Sequence, residues 1–255
     1  MKVVILAGGL GTRISEESHL KPKPMIEIGE EPILWHIMKH YSHYGFNDFI
    51  ICLGYKSFVV KDYFANYYLH TSDVTFDIGN NTVEYIKNEH EPWKVTLAET
   101  GLKTMTGGRI LRVKDYIGDE TFMLTYGDGV SDVNLDELLK FHRSHGKIGT
   151  LTAVSAVQRF GVLGIEGNVV SQFREKKEDD SSTINGGFMV LEPEIFNYLK
   201  DDTTVFENEP LETLSAQGQL MAYRHTGFWQ CMDTQRDKKN LETLWDSGNA
   251  PWKTW

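Results

Sequence analysis

At 255 residues the chain has room for one large domain, or a domain with an appendage, because a domain takes about 150 residues. Its 40% hydrophobic, 24% charged and 12% aromatic content is ordinary globular composition, which excludes a disordered, collagen-like or coiled-coil chain. With 26 basic against 36 acidic residues the net charge is −10 and no basic tract occurs, which speaks against a nucleic-acid or membrane partner. Any anionic ligand must therefore be held by a few local cations.

In chain order, Val3-Val4-Ile5-Leu6-Ala7 is a β-branched apolar run stopped by Gly8-Gly9, the pattern of a strand buried on both faces of a parallel sheet. The run is too short for a signal-peptide core, and no stretch approaches 18 apolar residues, so a soluble cytoplasmic protein is expected. Ile33, Leu34, Ile37, Met38 and Tyr41 recur at helical spacing between Pro32 and Gly45. A second buried strand, Phe49 to Leu53, stops at Gly54, so the first fifty-odd residues spell a strand–helix–strand crossover. Phe58 to Leu69 predicts a helix; 74–76, 83–85 and 95–97 predict short strands; and Ile110, Leu111, Val113 and Ile117 place a helix over 107–117. Thr121 to Tyr126 is another buried strand, ending in Gly127-Asp128-Gly129, followed by a helix from Asn134 to His145.

Residues 148–191 are rich in strand patterns (148–157, 162–165, 169–173, 187–191), and 192–199, 210–217 and 236–245 return to helical spacing around a strand at 220–223. No linker, low-complexity tract or internal repeat divides the chain. The expected fold is α/β: a single three-layer, Rossmann-like domain over 1–255, with a central mixed, mostly parallel sheet and strand-rich insertions. Cys52 and Cys231 have neither zinc spacing nor the density of a disulfide scaffold, and no paired histidine that would suggest a thiol nucleophile. His36, His40 and His43 share a helical face, but no Glu or Cys completes a metal set, so they are read as structural. The six tryptophans are assigned to core or subunit packing.

Chemistry concentrates at strand ends. Leu6-Ala7-Gly8-Gly9-Leu10-Gly11-Thr12-Arg13 can bring main-chain N–H groups close to phosphate, and Arg13 can grip phosphate oxygens with two nitrogens. Ile14 stands where the dinucleotide fingerprint has its third glycine, and no Gly-Lys-Ser/Thr follows, so neither standard phosphate loop applies. Lys21-Pro22-Lys23-Pro24-Met25 adds two ammonium groups on a proline-stiffened stretch. Taken alone, the glycines also suit a plain strand-to-helix turn, and the lysines a solvated loop. Asp128 ends a buried strand, where open α/β sheets bind ligands. Asp233 precedes a helix and could equally be its N-cap. Thr104 to Arg109 opens a helix whose amides and guanidinium could meet a nucleotide, or could simply start the helix.

The run Gly8-Gly9-Leu10-Gly11-Thr12-Arg13, followed ten residues later by Lys-Pro-Lys-Pro-Met, resembles the signature of the sugar-1-phosphate nucleotidyltransferases. The likeness to the cytidylyltransferase branch runs from Met1 to Trp255 and includes Ile33 to Lys39, Tyr63 to Tyr67 and Ala250 to Trp255. The resemblance implies that CTP and glucose 1-phosphate are the substrates and CDP-glucose and pyrophosphate the products. It implies Mg²⁺ on Asp128 and Asp233; nucleotide contacts at Leu6, Ala7, Gly8, Gly9, Gly11, Thr12, Arg13, Lys23, Thr104, Arg109 and Gly127; and sugar-phosphate contacts at Gly161, Glu175, Lys176, Asn185 and Gly186. Lys23 would meet the α-phosphate and Arg13 the departing pyrophosphate, so Arg13, Lys23 and Asp128 carry the catalytic expectation. Residues 1–147 would then serve the nucleotide and 148–235 the sugar phosphate, with the C-terminal helix and tail left for packing or assembly. A homo-oligomer, a hexamer by resemblance, and a role in lipopolysaccharide O-antigen synthesis are implied too. Many relatives read Glu-Lys-Pro where this chain has Lys177 after Lys176, which leaves the pose of that loop open. A sister enzyme using UTP or dTTP shares all these features. A glycosyltransferase shares Gly-Asp-Gly but leaves the first loop unexplained, and a nucleotide-sugar sensor would not require Arg13, Lys23, Asp128 and Asp233 together.

Overall fold

The first strand shows why the sheet lies in the middle of the molecule. In the computed structural model, which describes residues 1–11, 21–86, 90–155, 162–174 and 183–255, strand β1 (Lys2–Leu6) sends alternate side chains into opposite cores. Val3 and Ile5 join an apolar cluster with helix α1 (Ile33–His43), while Val4 and Leu6 join a second cluster on the other face. Strand β2 (Asp48–Leu53) alternates in the same way, with Phe49 and Ile51 on one side and Ile50 and Cys52 on the other. Continuous β-branched runs thus produce the expected three layers: helices, sheet, helices.

Beyond β2 come helix α2 (Ser57–Ala65), a helical turn at Tyr67–Thr71 and a hairpin of β3 (Asp73–Asp77) and β4 (Thr82–Ile86). Strand β5 (Lys94–Glu99), helix α3 (Thr106–Arg112), strand β6 (Phe122–Tyr126), the short strand β7 (Gly129–Ser131) and helix α4 (Leu135–His145) complete the first half. The second half contributes β8 (Gly149–Ser155), β9 (Val162–Glu166), β10 (Val169–Arg174), β11 (Thr183–Asn185), β12 (Met189–Leu191), α5 (Glu209–Ala216), β13 (Leu220–His225), β14 (Trp229–Cys231) and α6 (Gln235–Asp246).

Among the described residues, ten strands form one sheet in the order β11-β9-β10-β13-β8-β12-β6-β1-β2-β5. Across its middle, β13/β8, β6/β1, β1/β2 and β2/β5 pair in parallel, and β12 inserts antiparallel between β8 and β6. Antiparallel β9, β10 and β11 extend one edge. The strand expected over 187–191 starts instead at Met189, because Gly187 (φ +74°) and Phe188 (φ +44°) turn left-handed and separate it from β11. The helix expected over 107–117 breaks at Val113 into α3 and a turn at Lys114–Ile117. Among the described residues the hairpin β3/β4 pairs only with itself, and Phe76, Ile78, Val83, Tyr85 and Ile86 on it are exposed.

The C-terminal tail packs into its own subunit. Trp252, fully buried, stacks between Phe228 and Trp245 and donates its indole N–H to His36 Nδ1 at 3.4 Å. His36 and His40 also bond the carbonyls of Ile28 and Val133, both at 2.9 Å, which confirms them as structural groups tying α1 to neighbouring loops. Burial depresses both to about 4, against an ordinary value near 6.5. Each is neutral in the fold and protonates in the unfolded chain, so its stabilising contribution is complete above about pH 6.5 and drains as pH falls toward 4. Chemical denaturation should show stability falling by roughly 2–3 kcal/mol per buried histidine between those limits. A flat profile from pH 6.5 to 5, above carboxylate titration, would contradict the neutral assignment.

Candidate active site

The site forms where the carboxyl ends of β1 and β6 emerge side by side. Their parallel register sets Leu6 opposite Tyr126, and the Gly127 amide donates to the Leu6 carbonyl at 3.0 Å. A Cβ at Gly127 would stand 3.0 Å from that oxygen and 3.1 Å from Pro24 Cγ, so glycine is what lets three backbone segments converge. Asp128 then turns into the opening. The ladder of β7 with β14 pairs Gly129 with Cys231, and Met232 N–H bonds the Asp128 carbonyl at 2.8 Å. This ladder, which nothing in the short runs 129–131 and 229–231 forecasts, carries Asp233 across to Asp128.

Asp233 is not a helix cap. That role belongs to Thr234, whose hydroxyl accepts from Asp237 N–H while the Asp237 carboxylate receives Thr234 N–H, a closed capping box at the start of α6. The Asp233 side chain is thereby released to face Lys23. Lys23 opens a single 3-10 turn, Lys23–Met25, flanked by Pro22 and Pro24, and its ammonium donates to Asp128 Oδ2 at 2.6 Å and to Asp233 Oδ1. Burial works against the Lys23 charge, yet the two carboxylates outweigh it and raise its pKa above the ordinary lysine value. Lys21, expected to add a second ammonium, turns to Glu27 instead. A tight proline-bounded turn sends successive lysines in different directions.

Further positive charge comes from Lys103 and from α3. Arg109 is buried, and its guanidinium donates to the carbonyls of Leu53 (2.9 Å) and Gly8 (3.0 Å) and to Thr100 Oγ1 (2.7 Å). These acceptors are neutral and among the described residues no carboxylate bonds the buried guanidinium, so its field reaches the cleft. The fit is tight at one position of the first loop: a Cβ at Gly8 would lie 2.1 Å from Arg109 Nη1, so a side chain there must push the guanidinium aside. Gly9, by contrast, faces open space.

These groups surround a cleft of about 750 Å³. Leu6, Ala7, Gly8, Gly9, Gly11, Lys23, Thr104, Arg109, Gly127, Asp128 and Asp233 line it, together with Leu10, Pro24, Leu102, Lys103, Met105, Thr106 and Tyr126, which sequence reasoning did not single out. Lys103 sits one residue before Thr104 and could have been found by asking which cation accompanies that helix start. Thr12 and Arg13, and Gly161, Glu175 and Lys176 on the sugar side, lie outside the described residues. Asn185 and Gly186 are not among the cleft's lining residues. Asn185 Oδ1 accepts from Gly187 N–H (2.9 Å), and its amide nitrogen reaches the Tyr126 hydroxyl (3.4 Å). The Gly186 carbonyl receives the Trp229 indole N–H at 2.7 Å, and a Cβ there would lie 2.9 Å from Val154 Cγ1. Glycine at 186 thus also serves protein packing, in addition to the room for a hexose ring expected there.

Two further groups are inert by environment. Burial pushes the Cys52 thiol up to about 12, and burial with the Asp233 and Asp128 charges raises the Cys231 thiol, so neither forms a thiolate nucleophile near neutral pH.

Comparison with known proteins agrees with the geometry. The model of the family described as "Nucleotidyl transferase" matches residues 2–235. Glucose-1-phosphate cytidylyltransferase of Salmonella typhi is 57% identical over 256 residues, covering 100% of both chains. Probable glucose-1-phosphate cytidylyltransferase of Bacillus subtilis is 47% identical, again covering 100% of both. The apo crystal structure of a UDP-glucose pyrophosphorylase superposes with a TM-score of 0.76 at 18% identity, covering 97% of this chain and 98% of that one, a likeness of fold. Glycine-built strand ends that converge on one lysine and two aspartates, in a chain matched by that family model over nearly its whole length, place this protein in the nucleotidyl transferase family.

Proposed function

We propose that the protein transfers the cytidylyl group of CTP to α-D-glucose 1-phosphate, releasing pyrophosphate and forming CDP-glucose. The observation that carries the reading is the convergence of Lys23, Asp128 and Asp233 at the mouth of a glycine-walled cleft, in a chain 57% identical end to end to a glucose-1-phosphate cytidylyltransferase. The nucleoside triphosphate lies along the first loop and α3, where main-chain groups and the uncancelled charge of Arg109 favour an anion. The sugar phosphate enters from the side of β11 and the Asn185–Gly187 turn, with Glu175 and Lys176 assigned to it and Arg13 to the leaving pyrophosphate.

The attacking group is a phosphate oxygen, already anionic, so no base is needed, and no histidine lines the cleft among the described residues. Lys23 meets the α-phosphate, where negative charge accumulates as the oxygen closes on phosphorus, and the rigid proline turn fixes its approach. The reaction is a direct displacement in line with the departing pyrophosphate.

Asp128 and Asp233 would hold a divalent cation: two hard carboxylate donors reach one point, the Lys23 ammonium, and water and substrate oxygens would supply the other donors. Among the described residues no cluster of three or more His, Cys, Asp or Glu could hold a metal, which supports a site finished by the substrates. When bound, Mg²⁺ supplies charge neutralisation between the two reacting phosphates. The exposed Phe76, Ile78, Val83, Tyr85 and Ile86 on the β3/β4 hairpin support assembly into a homo-oligomer, for which we propose a hexamer. Among the described residues no helix is long and apolar enough to cross a membrane, which supports action in the cytoplasm, feeding CDP-sugars to O-antigen synthesis.

Pyrophosphate release measured across CTP, UTP, dTTP and GTP against several hexose 1-phosphates should peak at CTP with glucose 1-phosphate; a peak at UTP or dTTP would move the protein to a sister activity. In that assay Asp128→Ala and Lys23→Ala should each lose a few hundredfold in turnover, the equivalent of roughly 3–4 kcal/mol, without unfolding. Because Lys23 lies between the carboxylates, a cation must displace it. Lys23→Met should therefore bind Mn²⁺ about tenfold more tightly in nucleotide-free calorimetry, and unchanged affinity would show that the two do not compete. Gly8→Ala should weaken CTP binding by about tenfold or more, because the new methyl displaces the Arg109 guanidinium from its carbonyls.

A further inference from the structure

Behind the cleft wall, and outside its lining, lies an acid that none of the nucleotide or sugar motifs contains. We propose that Glu207 is a positioning residue: a brace that fixes the distance between the nucleotide-side helix α3 and the strand end that carries Asp128, and so aligns the two substrates. The inference rests on the nucleotidyl-transfer reading of this cleft and adds a residue to it.

Glu207 lies in the loop that leads into α5. Its two carboxylate oxygens each accept one hydroxyl: Oε1 from Tyr126 at 2.6 Å and Oε2 from Thr106 at 2.6 Å. Both donors line the cleft and come from different elements, Thr106 from the first residue of α3 and Tyr126 from the last of β6. Each hydroxyl is also an acceptor. Phe206 N–H donates to Thr106 Oγ1 at 2.9 Å, and Asn185 Nδ2 donates to the Tyr126 hydroxyl at 3.4 Å. Both hydroxyl protons are thereby directed to Glu207, and a carboxylate is the side chain that can receive two of them at once.

The loop is firmly seated against α3. Met105 N–H bonds the Asp202 carbonyl at 2.8 Å, and Gly108 N–H the Thr204 carbonyl at 3.2 Å. A Cβ at Gly107 or Gly108 would come within 2.8 Å of Thr204 or Asp202 backbone atoms, so two glycines exist here to admit this loop. A rigid support on α3 whose far end holds Tyr126 is what a spacer between two half-sites requires.

The decisive experiment is a mutant cycle read as kcat and KM for each substrate, with the triphosphate that the wild-type enzyme prefers, so that the brace is tested whichever nucleotide that is. Glu207→Gln keeps the size but offers one acceptor, stranding one hydroxyl proton. It should lower kcat/KM about tenfold for both substrates while the melting temperature stays close to wild type. Thr106→Val should act mainly on the nucleotide KM and Tyr126→Phe mainly on the sugar-phosphate KM. Adding Glu207→Gln to the Thr106→Val/Tyr126→Phe double variant should change nothing further. Wild-type kinetics in Glu207→Gln, or a full additional loss on the double variant, would overturn the proposal. Should Glu207→Gln fail to fold, the two single variants cut the same bonds from the other end, and unchanged KM values in both would overturn it equally. An inactive wild-type enzyme would instead refute the transfer reading, and the brace would then be read from CTP binding by calorimetry in the same variants.

Discussion

Asp128 and Asp233 are drawn together across more than a hundred residues of chain by a single ammonium group, and the site depends on that contact. Two carboxylates at one point repel, and the Lys23 ammonium, which donates to both, offsets that repulsion. The fold supplies each partner by a different rigid device: a proline-bounded turn for Lys23, the exit of a buried strand for Asp128, and a capping box that takes over the helix start and leaves Asp233 its position. In a molecule of net charge −10 the cleft gathers Lys23, Lys103 and Arg109 on its walls, local cations that an anionic ligand needs.

The wall opposite is built by subtraction of side chains. Gly8 and Gly54 allow the backbone of the first loop to lie against Arg109 and against its neighbour, and Gly127 lets the β6 exit touch β1. The buried Arg109 guanidinium, bonded to neutral acceptors, adds a fixed charge to this wall that needs no reorganisation. The side where we propose that the sugar phosphate enters is assembled differently. The turn after β11 is held by Tyr126, Thr152 and Trp229, so its geometry is set by protein contacts and not by open glycines. The brace at Glu207 links these two constructions, which otherwise share only the sheet.

Stability and function use separate histidines and aromatics. His36 and His40 hold α1 to loops and to the C-terminal tail, with Trp252 as the tail's anchor, and none of these lines the cleft. The unpaired apolar hairpin β3/β4 stands apart from that core.

By itself the sequence determined the local features: buried strands from β-branched runs, helices from 3.6-residue spacing, and the glycine and proline segments that made Gly8, Lys23, Gly127 and Asp128 visible as strand-end chemistry. These were legible because each depends on neighbours within a few residues. Only the tertiary structure decided that Thr234 and not Asp233 caps α6, that Lys21 turns away to Glu27, that Gly186 packs tightly against Val154, and that Gly187 and Phe188 turn left-handed and shorten the strand expected from 187. The short β7/β14 ladder and the Glu207 contacts were equally hidden. Each joins groups about a hundred residues apart, and such pairings are selected by the whole sheet's order and leave no periodic trace in the chain.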